Sequence, residues 1–116
     1  MRVELADTEE RKQYGLMDRR SLDPQSGMLF TYDSLQDSTA GFWMFRTHVP
    51  LDIAFMDSAG QVVAILSMDP CQVQDARVCR HSQYSPHLPF QSALEVNRGF
   101  FAEHAIGVGS TITLVP

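Results

Sequence analysis

The stretch from Leu51 to Met68 is what most constrains the fold. Leu51-Asp52-Ile53-Ala54-Phe55-Met56 is dense in branched and aromatic residues, and Gln61 to Met68 repeats that character after the turn-rich Asp57-Ser58-Ala59-Gly60. Two strand-length runs joined by such a turn read as a β-hairpin over 51–68. Three further runs have the same quality: Met28–Tyr32, Gly41–Phe45 and Ser92–Val96. Val3–Ala6 opens the chain as a short strand, and Thr111–Val115 alternates as a closing one.

Two short helices fit between these strands. Asp7 is placed to cap the first, with Glu10 completing a capping box and Gly15 supplying the left-handed stop after Gln13 or Tyr14. Asn97 is placed to cap the second, from Arg98 to His104, whose Phe100, Phe101 and Ile106 pack inward. The order of elements predicts an α+β fold: a mainly antiparallel, strongly curved sheet approaching a small barrel or sandwich, with two short helices. A chain of 116 residues falls near the commonest size for one domain, so residues 1–116 form a single unit. From Asp69 to Gln91 the chain carries both cysteines, two histidines and three prolines without apolar periodicity. It reads as a long irregular excursion, and such loops are usually functional or mobile.

Composition excludes some functions. A net charge of -5, with Arg19-Arg20 the densest basic pair, lacks the clustered cations that a phosphate backbone demands. Nucleic acid is therefore not an expected partner. No run approaches the roughly 18 apolar residues of a membrane span. Met1-Arg2-Val3-Glu4 has no apolar signal region, which reads as cytoplasmic for the chain as it stands, or periplasmic or extracellular if a leader has been removed. Cys71 and Cys79 close one small disulfide loop, contribute to a half metal site with His81 and His87, or are two unrelated thiols. No metal and no cofactor is assigned.

Several motifs stand in order along the chain: Gly15-Leu16-Met17-x-Arg19-x-x-Leu22, Gly27-Met28-Leu29-Phe30, Phe42-Trp43-Met44-x-x-Thr47-x-x-Pro50-Leu51-Asp52-Ile53-x-Phe55, Leu94-Glu95-Val96 and Gly107-x-Gly109. This set resembles the bacterial and archaeal domain-of-unknown-function family 192, over about residues 3 to 115. The resemblance implies a compact domain with a curved sheet and short helices, frequently exported or lipid-anchored, with no established activity. It also implies that cysteines are common in the long loop. The chain departs from the family pattern at Arg46, where Asn is usual, and at Ser110, where Asp is usual.

Candidate chemistry centres on six residues: Arg19, Trp43, Arg46, Thr47, Asp52 and Glu95. Asp52 stands at a strand mouth after the stiff Val49-Pro50, where a carboxylate either binds ligand or caps a turn. Glu95, between Leu94 and Val96, needs a partner such as Arg19 or Arg98 if its face is core. If that face is a cleft, Asp52 and Glu95 form a carboxylate pair with one raised pKa. Trp43 is core filler or a stacking platform. His48 reads as a turn residue, and no phosphate loop or nucleophile elbow is present.

Three functions follow from these residues. The first is a small-ligand or peptide binding module with its pocket near the bend from Thr47 to Asp52. The second is a hydrolase using Asp52 and Glu95, and the third is a protein-interaction accessory using the 69–91 loop.

Overall fold

The computed structural model describes residues 1–71, 73–81, 83–113 and 115, with His81 by its backbone alone. Five strands, β1 (Arg2–Ala6), β2 (Ser26–Gln36), β3 (Leu51–Met56), β4 (Val62–Met68) and β5 (Phe90–Asn97), form one sheet in the order β1-β2-β5-β3-β4. Three short helices accompany them: α1 (Glu9–Tyr14), α2 (Ala76–His81) and α3 (Phe100–Glu103). The α+β class holds.

The expected sheet is corrected in two respects. It is mixed, because β1 runs parallel to β2 whereas β2–β5, β5–β3 and β3–β4 run antiparallel. It is also open, with β1 and β4 at its edges, so it is neither a barrel nor strongly curled. The parallel pair has a covalent cause. Residues 7–25, carrying α1, link β1 to β2, and a connection of a dozen residues or more is what a parallel return needs.

The hairpin forms as expected. Asp57 Oδ1 accepts the N–H groups of Ala59 and Gln61, both at 2.9 Å. Gly60 closes the turn at φ +81°, and a Cβ there would lie 2.7 Å from the Ile112 carbonyl oxygen.

Other boundaries shift. Thr8, not Asp7, caps α1, its Oγ1 accepting the Arg11 N–H at 3.2 Å. Gly15 ends that helix at φ +54°. The second expected helix shrinks to α3, and Asn97 ends β5, its side-chain amide donating to the Leu22 carbonyl at 2.7 Å. The excursion holds α2, which was not expected. Thr111 makes a single bridge to Gln61 in place of a closing strand, and Leu114 of that expected strand lies outside the described residues.

The expected strand at Gly41–Phe45 is also corrected. Its side chains alternate, with Phe42 and Met44 buried and Trp43 and Phe45 half-buried, but its backbone joins no ladder. Phe42 exchanges hydrogen bonds with Tyr84 at 2.8 and 2.7 Å, and the Met44 carbonyl accepts from Cys71 N–H at 3.2 Å. The segment is a cover laid on the sheet, fastened by the excursion.

Cross-strand partners project to one face, and this sorts the core into two layers. On the first face Phe30, Ile53, Phe55 and Phe90 pack under Leu16, Leu22, Phe42, Met44 and Val49. On the second, Leu29, Ala54, Leu94 and Val96 pack under Phe100 and Phe101 of α3. All six residues of β3 are buried because both its faces are covered, which explains its lack of alternation.

Candidate functional site

On the first face the cover is incomplete. Between α1, the Tyr14–Met17 turn and the Gly41–Thr47 segment lies a cavity of about 280 Å³. Glu95 of β5 reaches its wall together with Phe30 and Tyr32 of β2, Trp43, Thr47 and, from α2, Arg80. Glycines shape the opening: Gly15 takes its left-handed turn beside the Phe30 ring, and a Cβ on Gly41 would stand 2.9 Å from the Tyr84 carbonyl oxygen.

Glu95 is the chemical centre of this cavity. It is 4% exposed, and its strand partners Ile53 and Met28 offer only apolar side chains. Neither Arg19 nor Arg98 reaches it: Arg19 pairs with Glu4 and Arg98 with Asp69. Burial alone therefore acts on the carboxyl and pushes it up to about 8, so at neutral pH it is mostly the uncharged acid. The Tyr32 hydroxyl is pushed up to about 12 by burial first, and then by the negative charges of Glu9 and Glu95.

The cavity's two lining cations, Lys12 and Arg80, are engaged by groups other than Glu95. Lys12 Nζ lies 4.2 Å from the Tyr32 ring centre and 3.7 Å from Glu9. The Arg80 guanidinium lies over Trp43 at 5.8 Å. Both are within cation–π range. Among the described residues the buried Thr47 hydroxyl makes only a long contact of 3.4 Å to the Phe45 carbonyl, which leaves it available to a guest.

Of the six candidates, Trp43, Thr47 and Glu95 come together at the cavity. Asp52 does not. It is cross-strand to Val96 whereas Glu95 is cross-strand to Ile53, so the two carboxyls point to opposite faces of the sheet. Asp52 instead accepts the Ser67 hydroxyl at 2.7 Å and the Gly99 N–H at 2.9 Å, fixing the left-handed entry into α3. Arg19 is engaged with Glu4 in a two-pronged pair, one contact of which is 2.8 Å.

Arg46 is likewise away from the cavity, its Nε donating to Asp18 at 2.9 Å while a second guanidinium nitrogen meets the other oxygen. Its φ of +55° accounts for the Asn that is usual in the family pattern, because Asn tolerates that region better than other side chains, and nothing in the structure explains the change to Arg. Arg46→Asn is accordingly expected to keep or raise the melting temperature, whereas Arg46→Val lowers it by about 4 °C or more. Equal melting by calorimetry for both variants would rule out strain at this position.

Lys12, Tyr32 and Arg80 were not among the sequence candidates. Lys12 carried a usable signal: it sits one helical turn from Glu9 on a helix too short to bury anything of its own. Arg80 carried none, since α2 itself was not foreseen.

Cys71 and Cys79 form a disulfide, with Cα atoms 5.9 Å apart. The disulfide removes both as thiolate ligands of the half metal site, and the side chain of His81 lies outside the described residues. Among the described residues no group of three or more His, Cys, Asp or Glu side chains is arranged to hold a metal ion. No helix among them is long and apolar enough to cross a membrane.

Two solved structures share this architecture. One, from Sinorhizobium meliloti 1021, is a protein named as a candidate transcription regulator. It has a TM-score of 0.80 and 28% identity, covering 94% of this chain and 78% of that one. The other, a protein of unknown function from Novosphingobium aromaticivorans DSM 12444, has a TM-score of 0.79 and 29% identity, covering 97% and 74%. No curated protein matches the chain. The model of family DUF192, described as an uncharacterized ACR, matches residues 1–114, and the chain belongs to that family.

Proposed function

We propose that the protein is a small-ligand binding module whose site is the cavity at Glu95. The observation that carries this reading is a carboxyl group, 4% exposed, that faces open volume with neither counter-ion nor hydrogen bond from the described residues to offset its burial. An ionisable group held this way costs stability, and such costs concentrate at functional sites. The cavity's size, near the low end for small-molecule sites, and its aromatic walls with a few polar groups fit a compact guest.

Hydrolysis by a carboxylate pair is not retained, because Asp52 and Glu95 lie on opposite faces of the sheet. The interaction reading is less favoured, since the exposed Val73, Val78 and Leu88 of the excursion are no more than ordinary single surface hydrophobes. The regulatory role named for the Sinorhizobium protein enters here only as ligand sensing. Direct DNA contact is poorly served by a net charge of -5 and by Arg19, Arg46, Arg77 and Arg98 each tied to a carboxylate.

A fragment screen read by amide chemical shifts tests the reading. Binders should perturb residues around Lys12, Gly41, Thr47 and Glu95, quench or shift the emission of Trp43, and weaken about tenfold or more in Glu95→Gln. Perturbations scattered over other surfaces, or binding indifferent to that substitution, would count decisively against it.

A further inference from the structure

Resting on that reading, the ligand's chemistry can be narrowed. An acid with no partner among the described residues, in a cavity lined in part by aromatic side chains, is complementary to a positive charge. Once ionised it can only accept hydrogen bonds, and the ring faces of Phe30, Phe42, Tyr32 and Trp43 attract cations electrostatically. A neutral guest uses only the hydrogen bonding, and an anionic guest is repelled once the acid is ionised.

We propose that the cavity binds a small organic ammonium ion, a primary amine on a compact apolar body, whose charged nitrogen seats against the Glu95 carboxyl and displaces its proton to solvent. The exchange balances: the acid O–H bond breaks, the proton leaves with water, and the ammonium keeps its own protons and donates them to the carboxylate.

The groups that face Glu95 agree with this. From β3 and β2 its neighbours Ile53 and Met28 carry no charge. From α1, Lys12 is drawn to Tyr32 and Glu9, and from α2, Arg80 lies over Trp43. Tyr32 is uncharged across the physiological range. The protein's own cations thus already sit on ring faces of the same cavity while the acid is left to a guest. The raised pKa of Glu95 adds that the empty site holds its proton near neutrality, so binding and deprotonation are coupled.

The test is calorimetric titration with phenethylamine and with its neutral analogue 2-phenylethanol. Each is run on wild type and Glu95→Gln, in phosphate and in Tris, whose ionisation heats differ. The amine should bind wild type with release of about one proton at pH 7, and its affinity should rise about tenfold per pH unit between pH 5.5 and 7.5. The alcohol's affinity should be weaker and flat with pH. In Glu95→Gln the proton release should vanish and the amine should lose about tenfold or more.

Amine and alcohol binding alike without proton release would overturn the cationic ligand while leaving the cavity as a binding site. Failure of the amine alone to bind, with fragments of other charge still mapping to Glu95, would overturn it equally. Only the loss of every cavity-directed fragment reaches back to the binding reading itself.

Discussion

Glu95→Gln is expected to stabilise the fold by about 3 kcal/mol at pH 7 and about 4 kcal/mol at pH 8, but by less than about 1 kcal/mol at pH 5. The sign follows from proton counting. The unfolded carboxyl titrates near its ordinary value of 4.5, whereas burial pushes the folded group up to about 8. Between those limits the folded state binds more protons than the unfolded one, so wild-type stability falls as pH rises through that window and levels off above it. Gln keeps the shape and the hydrogen-bonding polarity but cannot ionise, so the variant has no such slope from this position. Urea unfolding at several pH values reads the difference directly, provided the slope with denaturant is unchanged. Parallel curves for the two proteins from pH 5 to 8 would mean that the carboxyl is solvated or paired in solution, and the cavity would lose its chemical centre. A stabilised variant with weakened ligand binding is the trade expected of a functional residue.

Glu95 was legible in the sequence as a problem but not as a solution. Its place between Leu94 and Val96 on an apolar strand announced a carboxyl with an uncertain face. Whether that face was sealed core or open cavity depended on the cover, and the cover is where local reasoning fails. Phe42 to Phe45 has every local property of a strand, yet Phe42 and Met44 find their burial by lying across the sheet, and their backbone bonds go to Tyr84 and Cys71 of the distant excursion. Sequence spacing carries no information about such pairings.

The hairpin at 51–68 was readable because its register is set by a four-residue turn. The partnership of Asp52 with Glu95 was misjudged for a related reason. Both residues stand on β3 and β5, which are adjacent, but a pairing register offset by one residue sends their side chains to opposite faces, and nothing in either strand alone sets that register. The parallel β1 could have been read, since a strand, a helix and a strand in succession imply a crossover. Its five residues simply carry too little pattern to be weighed against four antiparallel-looking runs.

Removing the Cys71–Cys79 disulfide, by reduction or by the paired Cys71→Ser and Cys79→Ser changes, is expected to destabilise the protein by about 2–3 kcal/mol, the loop-closure value for a ring of this size. At roughly 4 °C per kcal/mol for a domain of this length, the melting temperature should fall by about 8–12 °C. The loss should not be spread evenly. Cys79 is fully buried, whereas Arg77, Val78 and Arg80 around it are exposed, so among the described residues the disulfide, with the Arg80–Trp43 contact, fastens α2 against the molecule. Cys71, its other end, bridges Phe45 within the cover. Breaking the link frees α2 and with it the guanidinium that lies over Trp43, while the sheet and its two cores keep their contacts. Hydrogen exchange should therefore quicken first between residues 73 and 88 and at Met44–Phe45, and Trp43 emission should shift before any strand amide opens. If emission and exchange at the cover stay at their oxidised values while global stability drops, the disulfide acts only on the unfolded chain. If they move together, the same bond that stabilises the fold also sets one wall of the cavity, and ligand binding becomes sensitive to the redox state of the surroundings.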